Sequence, residues 1–180
     1  ADLSDADLSD ADLSGIKSFR ANLSGANLSG ANLSDATLNE ADLREVILSE
    51  ANLSETKLIR TKLIDAVLGE AELNGAELNG ANLNRASLIR AKLIDVDLSG
   101  ASLIKANLIR ADLIRTPLNE ATLSEADLRW AIIWHKYYCE QVLAWTGCKI
   151  LLLDKYKLGL DDPDAHGIIW CNDDGTPIEP

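Results

Sequence analysis

The side chains best suited to bond making or metal binding lie in the last fifty residues. Both His and all three Cys of the 180-residue chain fall there: His135, Cys139, Cys148, His166 and Cys171. His135 and Cys139 are four apart, so on a helix they would share a face. Such a pair acts as a nucleophile only when a third group orients the imidazole and donors await an oxyanion. Neither is apparent here. Two His and three Cys are numerous enough for zinc, but no CxxC or other tight ligand pair is present. A Cys139–Cys148 disulfide is another reading and would imply an oxidising compartment. Reduced, partly buried thiols are the alternative. Asp161-Asp162-Pro163-Asp164 and Asn172-Asp173-Asp174-Gly175 collect carboxylates, but they read as turns rather than calcium loops.

Elsewhere the polar groups recur too regularly to form a localised site. No Ser/His/Asp constellation, phosphate loop or metal motif occurs in residues 1–130. The expectation is therefore no catalysis and no cofactor. Lys plus Arg is 17 against 29 Asp plus Glu, a formal net charge of -12. That sign opposes direct nucleic-acid binding through phosphate neutralisation. A hydrophobic content of 47% is too high for disorder. No apolar run approaches the roughly 18 residues a membrane helix needs.

The elements that must position all of this come from a repeat. From Ala1 to Trp130 the chain divides into 26 pentads without insertion. The third position is Leu in 25 of 26, the exception being Ser18. The first is Ala in 20 of 26, and the second is Asp or Asn in 13 of 26. A step of five drifts around an α-helix and alternates faces along a strand. Within one pentad, however, the first and third residues can both point inward across a short extended piece, with the second outward. The fourth and fifth must then turn a corner, which suits their Ser, Asn, Asp and Gly. One extended piece and one corner per pentad make a coil, and stacked coils can share hydrogen bonds at about 4.8 Å.

Units such as Ala-Asp-Leu-Ser-Asp and Ala-Asn-Leu-Ser-Gly resemble the pentapeptide-repeat family and its A(D/N)LXX pattern over residues 1–130. That resemblance implies an all-β solenoid, a right-handed quadrilateral parallel β-helix with four pentads per coil. Leu23, Leu43, Leu63, Leu83, Leu103 and Leu123 would then form one inward column. It also implies a non-enzymatic protein-interaction scaffold of unassigned role, similar to proteins abundant in cyanobacteria and found in chloroplast lumens. The alternative within the family is an acidic DNA mimic, similar to the quinolone-resistance rods that bind DNA gyrase in place of DNA. Cytoplasm, thylakoid lumen and periplasm are all compatible with the three Cys.

Twenty-residue stacking makes the outer surface a set of columns. Residues 1–55 are net -8, whereas residues 56–115 are net +2. Ile89, Ile94, Ile109 and Ile114, beside Arg90, Arg110 and Arg115, form a candidate patch for an unidentified protein partner. The plainer reading is that Ile suits an extended ladder. At Ser18 two outcomes are expected: Phe19 swings in through a bulge, or a small packing defect remains. Pro117 is expected where the ladder needs no N–H.

Composition shifts after Trp130, so residues 131–180 form a second region. Ala131 to His135 reads as a degenerate last pentad or as the start of a helix. Trp134, Tyr138, Val142 and Trp145 recur at helical spacing, which predicts a capping α-helix over about 131–146 that plugs the open end of the solenoid. Ala1 begins in repeat phase, which predicts self-association through the N-terminal end. Its Asp2, Asp5, Asp7, Asp10 and Asp12 oppose tight head-to-head pairing at low salt.

Overall fold

A computed structural model describes residues 1–134 and 169–171. Second-position residues pair in parallel with the residue twenty later: Asp2 with Asn22, Asn22 with Asp42, Asp42 with Lys62 and, except at Asp97, so on to Asn107 with Asp127. Twenty residues are four pentads, so each coil has four sides. One residue per side pairs in this way, and the corners take up the rest. Regular strands are therefore short: β1 (Asp112–Leu113), β2 (Ile132–Trp134) and β3 (Ile169–Cys171), parallel in that order.

The backbone hydrogen bonds explain the period. In a typical inner pentad the first N–H closes the corner, as Ala26 to the Leu23 carbonyl at 3.1 Å. The second donates to the coil before (Asn27 to Ala6, 2.9 Å), and the third and fifth donate to the coil after (Leu28 to Ile47, 2.7 Å; Gly30 to Ser49, 2.9 Å). Only the fourth N–H has no main-chain acceptor. Every fifth residue has positive φ, between 53° and 62° for the non-glycines. That places φ > 0 at the third residue of each four-residue turn, the type II pattern. Six of these positions are Gly; the others are Asp, Glu, Arg, Lys and Trp130. The stacked bonds and the packed Leu must outweigh the steric cost of roughly 1 kcal/mol at each non-glycine corner.

The core runs along the axis. Leu23, Leu43, Leu63, Leu83, Leu103 and Leu123 are all buried, as are the Ala at first positions from Ala21 to Ala111. The three buried Thr at first positions are satisfied by carbonyls 23 residues earlier. Thr56 donates to Leu33 at 2.8 Å, Thr61 to Leu38 at 3.1 Å, and Thr116 to Leu93. Leu3, by contrast, is 40% exposed.

The structure decides between the two outcomes at Ser18 and corrects two expectations, for Pro117 and for the start of the capping helix. Phe19 stays outside at 56% exposure, over the Arg20 guanidinium at 4.8 Å. Ser18 keeps the regular bond to Thr37 (2.8 Å), so the unit is a packing defect without a bulge. Pro117 does sit where the ladder needs an N–H. Its neighbours Asp112 and Thr122 donate to Ala91 and Ala101, and the matching donor to Val96 is missing. The bridge between Asp97 and Pro117 is accordingly absent from the otherwise continuous series. Finally, Ile132 to Trp134 continue the ladder as β2 instead of starting a helix, pairing with both Asp112–Leu113 and Ile169–Cys171. Trp134 is therefore a strand residue. Tyr138, Val142, Trp145 and the pair Cys139 and Cys148 lie outside the described residues.

Candidate interaction surface

The outward residues divide into those that finish the backbone and those that do not. The Asp and Asn of the second positions belong to the first group. The Oδ1 of all 13 accepts the N–H of the fourth residue of its own pentad, as Asp7 from Ser9 (3.2 Å), Asn22 from Ser24 (3.2 Å) and Asp112 from Ile114 (3.1 Å). These are the donors that the main-chain ladder leaves over. Three further fourth-position N–H groups, on Ile59, Ile94 and Ile104, are served by Asn39, Asn74 and Asn84 of the coil before. The A(D/N)LXX preference is thus a local turn device, and the repeated carboxylates are not a set of acid pairs. Ser9 holds the Asp7 carboxyl below its ordinary value by its hydroxyl and its N–H, and Ser14 does the same for Asp12. Burial pushes Asp112 the other way, upward.

The fifth positions carry charge along the corners. Asp65 meets Arg85 at 2.6 Å, Glu70 meets Arg90 at 3.0 Å, and Asp95 meets Arg115 at 2.5 Å, each pair twenty residues apart. Arg20 reaches Glu40 at 2.7 Å in the same way. The side-chain bonds from Arg85 and Arg115 lower the Asp65 and Asp95 carboxyls. Exposed pairs of this kind contribute little stability each, but they fix which charges remain available.

Four faces result, with pentads starting at 1 (face 1), 6 (face 2), 11 (face 3) and 16 (face 4) and repeating every twenty. The seven fourth-position Ile divide among all four. Ile89 and Ile109 lie on face 2 with Arg90 and Arg110; Ile94 and Ile114 lie on face 3 with Arg115. The patch expected from the sequence is therefore split around a corner, and two of its three Arg are already paired. Ile89 is exposed, whereas Ile94, Ile109 and Ile114 are half-buried.

Sequence inspection passed over Ile47 and Val67. They are paired second-position residues on face 2, 40% and 39% exposed. With Ile89 they are three of the five large hydrophobics that stand exposed among the described residues; the others are Leu3 in the first coil and Phe19 on face 4. Their signal was available, since every other second position is polar except Pro117. Between Val67 and Ile89 lies Gly69, whose φ is unremarkable and whose added Cβ would meet nothing closer than 3.9 Å. It leaves a shallow gap beside the exposed apolar side chains of face 2.

Two mixed-charge grooves follow the corners. One is lined by Glu50, Asn52, Glu70, Glu72, Arg90 and Lys92. The other includes Arg20, Glu40, Asp42, Arg44, Arg60 and Lys62. Among the described residues no cluster of His, Cys, Asp and Glu could hold a metal ion, and no helix is long and apolar enough to cross a membrane.

A family model described as pentapeptide repeats matches residues 1–17 and, in overlapping segments, 21–134. Among solved structures, the chain is 34% identical to HetL, a pentapeptide repeat protein involved in heterocyst differentiation regulation from the cyanobacterium Nostoc sp. strain PCC 7120. The match covers 74% of this chain and 73% of that one, with a TM-score of 0.37. It is 34% identical to Rfr23 from the cyanobacterium Cyanothece 51142, over 66% of this chain and 64% of that one, TM-score 0.34. It is 19% identical to QnrB1, a plasmid-mediated fluoroquinolone resistance protein, over 67% and 66%, TM-score 0.40. No curated protein matches the chain.

Proposed function

The chain belongs to the pentapeptide-repeat family, and from that premise we propose that it is a non-enzymatic scaffold that presents one face of a rigid coil stack to a protein surface. The observation that carries this reading is the placement of Ile47, Val67 and Ile89 together on face 2. Water-facing apolar groups gain by being covered, and these three are laterally flanked by the charged corners of the coil, as in an interface core with a polar rim. The second-position Asp and Asn are engaged in closing the backbone.

The test compares capture from a native extract by the wild type, by Ile89→Asp and by Lys57→Glu, which alters face 4. The expected result is a partner lost with Ile89→Asp and retained with Lys57→Glu. A partner retained equally by both variants would remove face 2 from the reading. The DNA-mimic alternative keeps the net charge of -12 and the acidic first coils in its favour. Inhibition of gyrase supercoiling by the purified chain supports that alternative, and its absence removes it.

A further inference from the structure

Face 2 is bounded by two corner columns with the same order of charge. One runs Glu45, Asp65, Arg85, Lys105; the other runs Glu50, Glu70, Arg90, Arg110. Both read acid, acid, base, base over coils three to six. The two remaining corners lack this order: one runs Glu55, Gly75, Asp95, Arg115 and the other Arg60, Gly80, Gly100, Glu120. We propose that face 2 binds a second copy of this chain, with the two coil stacks antiparallel and related by a two-fold axis across the face between coils four and five. The proposal rests on the reading of face 2 as an interaction surface and names its occupant.

The geometry of that operation follows from the ladder. A two-fold axis lying in the face and perpendicular to the stack keeps each column opposite itself and reverses its direction. Glu50 then faces Arg110 of the second copy, and Glu70 faces its Arg90. On the other corner Glu45 faces Lys105, and Asp65 faces Arg85. The parallel arrangement instead brings like charges together at every level: Glu45 with Glu50, Asp65 with Glu70, Arg85 with Arg90, Lys105 with Arg110. Charge order therefore selects the antiparallel copy.

Three further features fit the same axis. Glu50 and Arg110 have no ion-pair partner within the chain among the described residues, and the axis places each against the other. Gly69 falls opposite Ile89, so the gap on one copy receives the exposed side chain of the other. The acidic first coils, with Asp2, Asp5, Asp7, Asp10 and Asp12, lie at opposite ends of the pair, which limits the repulsion expected from a net charge of -12. Facing sheets pack about 10 Å apart, a separation that Glu and Arg side chains at the corners can span.

Sedimentation equilibrium on the full chain tests this. At about 20 mM salt and about 100 μM protein the wild type should be dimeric, and at about 500 mM salt it should be monomeric, because screening removes the corner attraction. Glu50→Arg alone and Arg110→Glu alone each place like charges opposite one another twice, so each should be monomeric at low salt. An equimolar mixture of the two variants restores both opposite-charge pairs and should dimerise. Both variants stay net negative, so bulk attraction cannot mimic that recovery. Circular dichroism and melting of each variant should match the wild type. A wild type that stays monomeric at low salt, a single variant that dimerises like the wild type, or a mixture that fails to recover overturns the proposal. A monomeric wild type combined with capture lost on Ile89→Asp would overturn the self-pairing while leaving the scaffold reading in place.

Discussion

At the residue scale the informative group is the fourth-position N–H. It alone among the five donors of a typical inner pentad has no main-chain acceptor, and in 13 pentads Asp or Asn two residues earlier supplies one. Asn52→Ala removes the bond to the Ser54 N–H (3.1 Å) and the side-chain ladder bond to Asn32 (3.3 Å). The expected loss is about 1 kcal/mol, read by thermal melting, with Asn52→Asp retaining most of the stability. Asp112 tests the opposite balance. Its carboxyl is raised above 3.8 by burial, so its charged form is disfavoured in the folded state. Stability from this group is full below the unfolded value and declines as pH rises through the higher folded value. Asp112→Asn keeps an acceptor for the Ile114 N–H and removes that penalty. It should raise the melting temperature at about pH 7 and change it little at about pH 3. Asp7 and Asp12 have lowered values, so their contribution is present above the unfolded value and is lost as pH falls through the lower folded one.

At the scale of the element, one pentad is one side of a coil, and Pro117 shows what each side contributes. Its ring removes the donor that would reach the Val96 carbonyl, and its pentad also lacks the Asx acceptor for Asn119. Pro117→Asn supplies both groups at once. The expected gain is about 1 kcal/mol, measured as a higher denaturation midpoint with an unchanged slope. No gain would mean that the lost unfolded-state restriction of proline offsets the restored bonds. The Ser18 pentad makes a complementary point. Its backbone is regular although its core residue is small, so corner geometry and ladder bonds hold a side in place without Leu.

At the scale of the whole molecule, stability is a sum over coils in which each coil touches its neighbours. A buried unpaired charge should therefore cost most where coils lie on both sides. Leu63→Asp, at a fully buried position, should abolish cooperative unfolding or cost several kcal/mol. Leu8→Asp, in the first coil and only partly buried, should cost far less. Circular dichroism melts of the two variants check this, and equal losses would contradict the one-dimensional picture.

The pentad period, the inward Leu and Ala and the outward columns were legible in the sequence, because a strict repeat leaves each residue type only one compatible place. The resemblance supplied the four-sided coil, which period alone left open. The purpose of the second-position Asp and Asn was not legible, since a solvated column and a turn acceptor have the same composition. The same limit applied to Ala131–Trp134, where an apolar run fits either a strand or a helix and only pairing partners decide. What the sequence determined by itself was the local alternation that makes one side of a coil. What only the tertiary structure decided was which charges twenty residues apart pair along a corner, and that Ile47, Val67 and Ile89 stand exposed. Those outcomes depend on side-chain distances and burial, which exist only once the coils are closed on one another.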